Sequence, residues 1–293
     1  RLVRGGPSKV SPFLIPKMMA NAAAGNVAIR LGVHGVNFDV TSACASATHG
    51  IGEALRAIRS GAADIVFTGG SEAAITPIGI AGFANMKALS TRNDDPATAS
   101  RPFDKDRDGF VVGEGAGIVV LEELQSARKR GATIYAEVAG YAATCDAHHI
   151  TAPDPKGDVA AHTMMLALED AGMKPHDVSY VSSHSPGTPF GDAMECAALK
   201  NLFGHPAHLP PVSGLKTITG SITKTTGAIS VVAVALSIQQ KREHPTINQF
   251  TPDPACDVDC VPNEARDLDV KVALSNAFGF GGHNATLVLA PVD

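Results

Sequence analysis

The chain has 293 residues, room for one or two domains, and its 44% hydrophobic and 18% charged residues exclude a disordered chain. Lys plus Arg number 24 against 29 Asp plus Glu, and a net charge of -5 argues against a dedicated nucleic-acid binder. Mean hydropathy is +0.08, and no run approaches the ~20 apolar residues of a membrane helix. Five cysteines, at 44, 145, 196, 256 and 260, are scattered without a CxxC pair, and the opening RLVRGGPSKVSPF lacks the apolar core of a signal peptide. Both features point to a reduced, cytoplasmic chain.

Apolar runs of strand length alternate with helical patterns, the mark of an α/β sheet. NFDVTSAC reads as a buried strand. After it Ile51, Ala54, Leu55 and Ile58 fall at helical spacing, with Gly61 as the stop. ADIVFTGG reads as a second strand, ended by Gly69 and Gly70. GIVVLEELQSARKRG passes from strand into a short helix closed by Arg128, Lys129, Arg130 and Gly131, cations that suit the negative helix end. The pattern restarts near Thr133: IYAEVAGYAA as strand, VAAHTMMLALEDAG as helix, VSYVSSH as strand, GDAMECAALKNLFG as helix. PVSGL, a long helical stretch from Ser221 to Lys241, and the strands VALSNAF and NATLVLA complete the series. The restart predicts two α/β halves, 1–131 and 132–293, without a residue-level repeat between them.

Cys44 is the sharpest feature. It stands between Ala43 and Ala45, uncrowded, where a strand meets a helix N-terminus. That position lowers a thiol's pKa and exposes it as a strand–turn–helix elbow exposes a hydrolase serine. A buried, inert thiol fits the same pattern, since free cysteine is often core. The other four cysteines read as structural. His184 closes VSYVSSH in a Pro/Gly-rich turn before a helix, and strand ends of an α/β sheet are where ligands bind. A lone histidine is also commonly structural. Lys216 leaves another short apolar strand, where an unpaired ammonium is costly. GFGGHN at 279–284 implies a turn with close backbone approach, suited to an amide-lined pocket.

Other motifs are discounted. DKDRDG at 104–109 imitates the opening of a calcium loop, but its twelfth position is Gly115 rather than Glu, so a solvated turn is expected. GEGAG at 113–117 lacks GxGxxG spacing and precedes a strand. Cys256 and Cys260 match no zinc pattern, so no metal is expected. His148 and His149 read as a surface pair.

Taken together, the blocks TSACASATHGIGEALRAIRSGAADIVFTGGSEA, SRPFDKDRDGFVVGEGAGIVVLEE, ITAPDP and NAFGFGGHN resemble the elongating β-ketoacyl-acyl carrier protein synthases, type II in particular. The resemblance runs from Arg1 to Asp293. It implies the thiolase-like five-layer αβαβα fold in two similar halves. It also implies an incomplete N-terminal half whose first strands and helices are missing, leaving sheet edges uncovered. A homodimer paired along NFDVTSAC is expected.

Residue by residue, Cys44 matches the family's acylated nucleophile. His184 matches its first histidine, in SSHSPGT where the family has Asn-Ala-His-Gly-Thr-Ser-Thr. Lys216 matches its lysine, in SGLKTITGS where the family has Ser-Ser-Thr-Lys-Ser-Met-Thr-Gly-His. The second histidine is therefore replaced by Ser221. Phe280 matches the gating phenylalanine, in a turn shared with Phe278 and Gly281, and the N–H groups of Cys44 and Phe280 would hold the oxyanion. Pro186 stands where the family has a pantetheine-contacting threonine, Thr188 keeps the second one, and Thr151 joins them as a substrate-binding position. Lys224 replaces a glycine. Lys9 and Lys87 match basic positions that dock acyl carrier protein. No cofactor is implied, because substrates ride on the carrier's phosphopantetheine.

The resemblance also implies a chemistry. The Cys44 thiolate takes an acyl chain from carrier protein. Malonyl-carrier protein then loses CO2, and its carbanion attacks the Cys44 thioester. In the family two histidines hydrogen-bond the malonyl carbonyl as it becomes an enolate, and the lysine orients them by charge. Ser221 shortens one donor, and losing one oxyanion donor costs ~2.7–4 kcal/mol. Three readings follow. One is a condensing enzyme of fatty acid or polyketide biosynthesis, including a pathway-specific or antibiotic-resistant variant. The second is a non-elongating, acyltransferase-like ketosynthase. The third, a partner subunit of a heterodimer, is disfavoured by Cys44, and a thiolase is disfavoured by the synthase blocks.

Overall fold

The computed structural model describes residues 2–204 and 208–292. The chain divides into two units, Arg1–Thr41 and Ser42–Asp293. In the first, helix α1 (Ala22–Leu31) is closed by Gly32 in the left-handed conformation, φ 65°. No described residue of this unit is buried, and Phe13, Ile15, Met18 and Ile29 are all exposed. Residues 37–41 form no strand, and Phe38 is 60% exposed. The buried strand expected at NFDVTSAC is therefore absent. An apolar run becomes a strand only when another backbone takes up its N–H and C=O groups, and none of the described residues does so.

The second unit contains a ribbon and a sheet. The ribbon pairs β1 (Ile65–Glu72) antiparallel with β2 (Gly115–Glu122). The sheet comprises β3 (Glu137–Cys145), β4 (Tyr180–Ser182), β5 (Val212–Ser213), β6 (Ala273–Gly279) and β7 (His283–Ala290). Its strand order is β3-β7-β6-β4-β5. Strands β3, β7 and β6 are antiparallel neighbours, whereas β6, β4 and β5 run parallel.

Both faces of the sheet are covered, which is why its central strands read as continuous apolar runs rather than alternating ones. On one face Val181, Leu274 and Val288 pack against Met164 and Leu168 of α3 (Asp158–Asp170) and Leu199 of α4 (Pro189–Phe203). On the other, Tyr180, Ala277 and Leu287 meet Ile51 and Leu55 of α2 (Ser46–Arg59) and Val231 and Val234 of α5 (Thr226–Gln240). Each fully buried Leu, Ile or Val contributes ~1.5–3 kcal/mol. The ribbon packs Val119 and Leu121 against this second cluster, while Ile65, Phe67, Ile118 and Val120 face outward and are exposed. The layer order in this unit is helix, sheet, helix, ribbon.

Helix α2 buries Ile51, Ala54 and Leu55 as the spacing predicts, and Gly61 lies just beyond it at φ 72°. Three readings need correction. Strand β1 continues through Gly69 and Gly70 to Glu72. A β-carbon at Gly69 (φ 146°) would lie 2.0 Å from the Gly117 carbonyl, so that glycine serves close strand approach, not termination. The stretch 221–241 is not one helix. Gly220 and Thr223 adopt positive φ, 67° and 37°, and Ser221 pairs in extended form with Val111 and Gly113 at 2.7 and 2.9 Å. Helix α5 then starts at Thr226.

Finally, DKDRDG is no solvated turn. Asp104 and Arg107 are buried. Asp104 accepts the N–H groups of Phe250 and Thr251, both at 2.7 Å, and Arg107 pairs with Asp253 at 2.5 Å and Asp192 at 3.7 Å. Buried charges persist only when paired in this way.

Candidate active site

The parallel strands β4, β5 and β6 all end at one edge of the sheet, and the chemistry collects there. His184 follows β4, Lys216 follows β5, and Phe278 lies in the last turn of β6. All three are buried. The His184 ring meets Phe278 edge-on with 5.8 Å between centroids. Lys216 Nζ lies 3.4 Å from His184 Nδ1 and also donates to the His184 carbonyl. Burial and the neighbouring Lys216 cation hold the imidazole well below its usual pKa, so it is neutral. Burial likewise lowers the Lys216 ammonium to about 8, against the pull of Glu195. With the ammonium donating to Nδ1, the imidazole proton sits on Nε2, leaving a free N–H donor.

Glu195 was not singled out in the sequence, yet it anchors this group. Fully buried on α4, it accepts the N–H groups of His184 at 2.9 Å and Ser185 at 2.8 Å, and Asn276 Nδ2 at 3.2 Å. Asn276 in turn accepts from Thr286 Oγ1 at 2.9 Å. A signal was available. Glu195 falls three residues before Ala198 and seven before Leu202, on the apolar stripe of an amphipathic helix, where an acid needs a reason.

Cys44 sits on a tight elbow before α2. Ala43 adopts φ 50°, a left-handed conformation rare for a residue with a β-carbon. The Ala45 N–H donates to the Ser42 carbonyl at 3.1 Å, the Ser46 hydroxyl donates to the Ala43 carbonyl at 2.7 Å, and the Ser42 N–H donates to Ser46 Oγ at 2.9 Å. Strand β6 passes so close that a β-carbon at Gly279 would lie 2.6 Å from the Ser42 carbonyl and 3.2 Å from the Cys44 amide. That approach brings Cys44 to the strand end that carries Phe278. Burial pushes the Cys44 thiol up, the Lys216 cation pulls it down, and Glu72 adds to the rise. The net direction is upward, opposite to the lowered pKa expected from the helix terminus.

Ser221 is 4% exposed, and no hydrogen bond joins its hydroxyl to Cys44, His184 or Lys216 among the described residues. Beside it, Thr223 donates to Glu72 at 2.8 Å, and Lys224 pairs with Glu72 at 3.5 Å. Strand β1 packs Gly70 between Ala47, in the first turn of α2, and the Lys224–Thr225 backbone, so this polar group shares a wall with α2. Thr188 caps α4 by accepting the Gly191 N–H at 3.2 Å, and Pro186 is half-buried in the same turn. Phe280 is half-buried. Gly281, at φ 89°, donates to the Ile150 carbonyl at 2.7 Å, which ties the turn carrying Phe280 to the segment carrying Thr151. His149 is exposed but does more than cover the surface. Its Nδ1 accepts the N–H groups of Thr151 and Ala152, both at 3.1 Å. Lys9 and Lys87 are exposed, each in its own unit. Among the described residues no group of three or more His, Cys, Asp or Glu side chains is placed to hold a metal, and no helix is long and apolar enough to cross a membrane.

Residues 2–127 match the profile of the β-ketoacyl synthase N-terminal domain, and residues 135–250 that of the β-ketoacyl synthase C-terminal domain. The chain belongs to the β-ketoacyl synthase family. This synthase is 53% identical over 286 residues to 3-oxoacyl-[acyl-carrier-protein] synthase 2 of Synechocystis sp., a match covering 98% of this chain and 69% of that protein. It is 51% identical over 288 residues to the protein of the same name from Staphylococcus aureus strain COL, covering 98% and 69%. Among solved structures it resembles a type II polyketide synthase complex of an acyl-carrier protein with its ketosynthase bound to the hexaketide. The TM-score there is 0.96 at 38% identity, covering 98% of this chain and 71% of that one. The ishigamide ketosynthase/chain length factor gives a TM-score of 0.93 at 37% identity, covering 100% and 70%. The thiolase-like fold expected from the sequence is thereby established.

Proposed function

We propose that this synthase is a type II-like condensing enzyme of fatty acid or polyketide biosynthesis, joining an acyl chain carried on Cys44 to malonyl-acyl carrier protein. The observation that carries the reading is the gathering of Cys44, His184 and Lys216 at one sheet edge, with Lys216 fixing the histidine tautomer. In the first half-reaction the Cys44 sulfur attacks the acyl thioester; the C–S bond to the carrier breaks, and the thiol proton ends on the departing phosphopantetheine sulfur. In the second, malonyl-carrier protein loses CO2. The new carbon–carbon bond forms as the Cys44 C–S bond breaks, and the released thiolate takes up one proton. His184 supplies its Nε2–H to the malonyl carbonyl while negative charge gathers there, and Lys216 stabilises that charge from behind the ring.

Ser221 favours a second reading for a specific reason. With a short hydroxyl where the family places a second imidazole, decarboxylation loses more than acylation does. The alternative is thus a ketosynthase that loads Cys44 but elongates poorly, or one insensitive to inhibitors that use both histidines. We read residues 1–131 and 132–293 as the two halves, a two-fold homodimer as the assembly, and the cytoplasm as the site of action. Acyl carrier protein is the partner, with Lys9 and Lys87 each read as a basic docking position and Thr151, Thr188 and Pro186 along the pantetheine arm. Incubation with acyl-carrier protein is expected to add the acyl mass to Cys44, and malonyl-carrier protein then to yield the extended β-ketoacyl product. A chain that never acquires the acyl group overturns the reading; loading without extension selects the alternative.

A further inference from the structure

We propose that His49 is a positioning residue for the nucleophile, locking the Cys44 elbow to the central sheet through the Ser42 side chain. The inference rests on Cys44 being the acylated residue. Ser42 precedes Cys44 by two residues and His49 follows it by five, and Ser42 Oγ lies 2.5 Å from His49 Nδ1. Burial and the neighbouring His283 lower the His49 pKa against the opposing pull of the Asn284 backbone on β7. The imidazole is therefore held neutral, and Ser42 Oγ and His49 Nδ1 share one hydrogen bond. The ring stands edge-on to Tyr141 of β3 at 6.3 Å and to His283 of β7 at 6.5 Å, which fixes its plane.

Ser42 is the residue on which the elbow turns. Its carbonyl accepts the Ala45 N–H, its own N–H reaches Ser46 Oγ, and its carbonyl is the atom closest to the space above Gly279. Held there, it keeps Ala43 in its left-handed conformation and fixes the Cys44 amide. Without the His49 bond, the side chain of Ser42 has no tie to β7, and the strained Ala43 is free to relax. A displacement of about an ångström at a reacting group costs up to ~10²-fold in rate.

The test uses four single variants of the full chain, Ser42→Ala, His49→Ala, His49→Asn and His49→Gln, and the Ser42→Ala/His49→Ala double variant. Asparagine places a hydrogen-bonding atom where Nδ1 was and can still engage Ser42; glutamine places one where Nε2 was and does not restore the bond to Ser42. Two rates are read for each, acyl transfer to Cys44 and alkylation of Cys44 by iodoacetamide located by peptide mapping, alongside the melting temperature. Ser42→Ala and His49→Ala are expected to slow acyl transfer by ~10–100-fold, and the double variant no further than the slower single. His49→Asn should recover most of the rate, and His49→Gln should not. Rates that follow melting temperature alone, or a glutamine variant faster than the asparagine one, would overturn the proposal. So would Ser42→Ala loading at the wild-type rate. Should the wild type accept no acyl chain, the functional reading fails, and the order of alkylation rates still decides the role of His49.

Discussion

The two flanks of Cys44 are built on opposite plans. On one side His184, Lys216 and Glu195 form a tight network in which Glu195 holds the His184 and Ser185 N–H groups and Lys216 holds His184 Nδ1. On the other, Ser221, Thr223, Lys224 and Glu72 form a looser set with one strained backbone, an ion pair whose lysine side chain is 52% exposed, and a serine hydroxyl without a partner in the first flank. The first flank is set to deliver a proton-bearing donor to a fixed point. The second has the polarity for that task without the reach.

The largest effect should come from the nucleophile. Cys44→Ala is expected to abolish acyl loading as seen by intact mass. Persistence of the adduct at Cys145, Cys196, Cys256 or Cys260 would break the comparison at its centre. His184→Ala should leave loading measurable while lowering malonyl decarboxylation ~10²–10³-fold, the usual effect of one oxyanion donor.

Next in size is the closed flank's anchor. Glu195→Ala orphans the N–H groups of His184 and Ser185, each at about 1–3 kcal/mol. The melting temperature should fall by roughly 2–4 °C per kcal/mol lost for a domain of this size. Glu195→Gln, which keeps an acceptor oxygen, should fall less. Equal stability of all three proteins would show that the network is not holding His184.

The pH response separates the flanks by sign. Burial raises the Cys44 thiol, Lys216 lowers it and Glu72 raises it. Alkylation should therefore have a midpoint above the ordinary thiol value in the wild type. It should shift upward in Lys216→Met, where a stabilising cation is lost, and downward in Glu72→Gln, where a repelling anion is lost. Because Lys216 releases its proton near pH 8, any rate that depends on its charge should decline as pH rises through that value. A downward shift in Lys216→Met or an upward shift in Glu72→Gln would reverse the assignment. The smallest effect belongs to docking. Charge reversal at Lys9 and Lys87 should slow association with carrier protein and flatten its salt dependence without altering chemistry once bound.

Much of this arrangement was legible in the sequence because it follows local rules. The period of Ile51, Ala54 and Leu55 placed α2, and the position of His184 and Lys216 after strand-like runs placed them at sheet ends. What was not legible depends on partners distant in sequence. Arg107 finds Asp192 and Asp253 across long loops, so DKDRDG read as solvent-facing when it is buried. Residues 37–41 read as strand from composition, but pairing is a property of two segments. The helix expected from Ser221 is broken by positive φ at Gly220 and Thr223, and Thr223 is no usual breaker. The thiol pKa was misjudged because helix position is visible in sequence whereas depth of burial is not.

The most direct test of the unequal flanks is Ser221→His, made together with Pro186→Thr and Lys224→Gly so that the imidazole has room. Acyl loading of Cys44 and malonyl decarboxylation are measured on the same preparation. Decarboxylation should rise by up to ~10²–10³-fold while loading stays nearly constant, and sensitivity to malonyl-mimicking inhibitors should rise with it. If the wild type already decarboxylates as fast as the restored enzyme, and inhibition is unchanged, the Ser221 flank is no impairment and the contrast between the two flanks has no catalytic consequence.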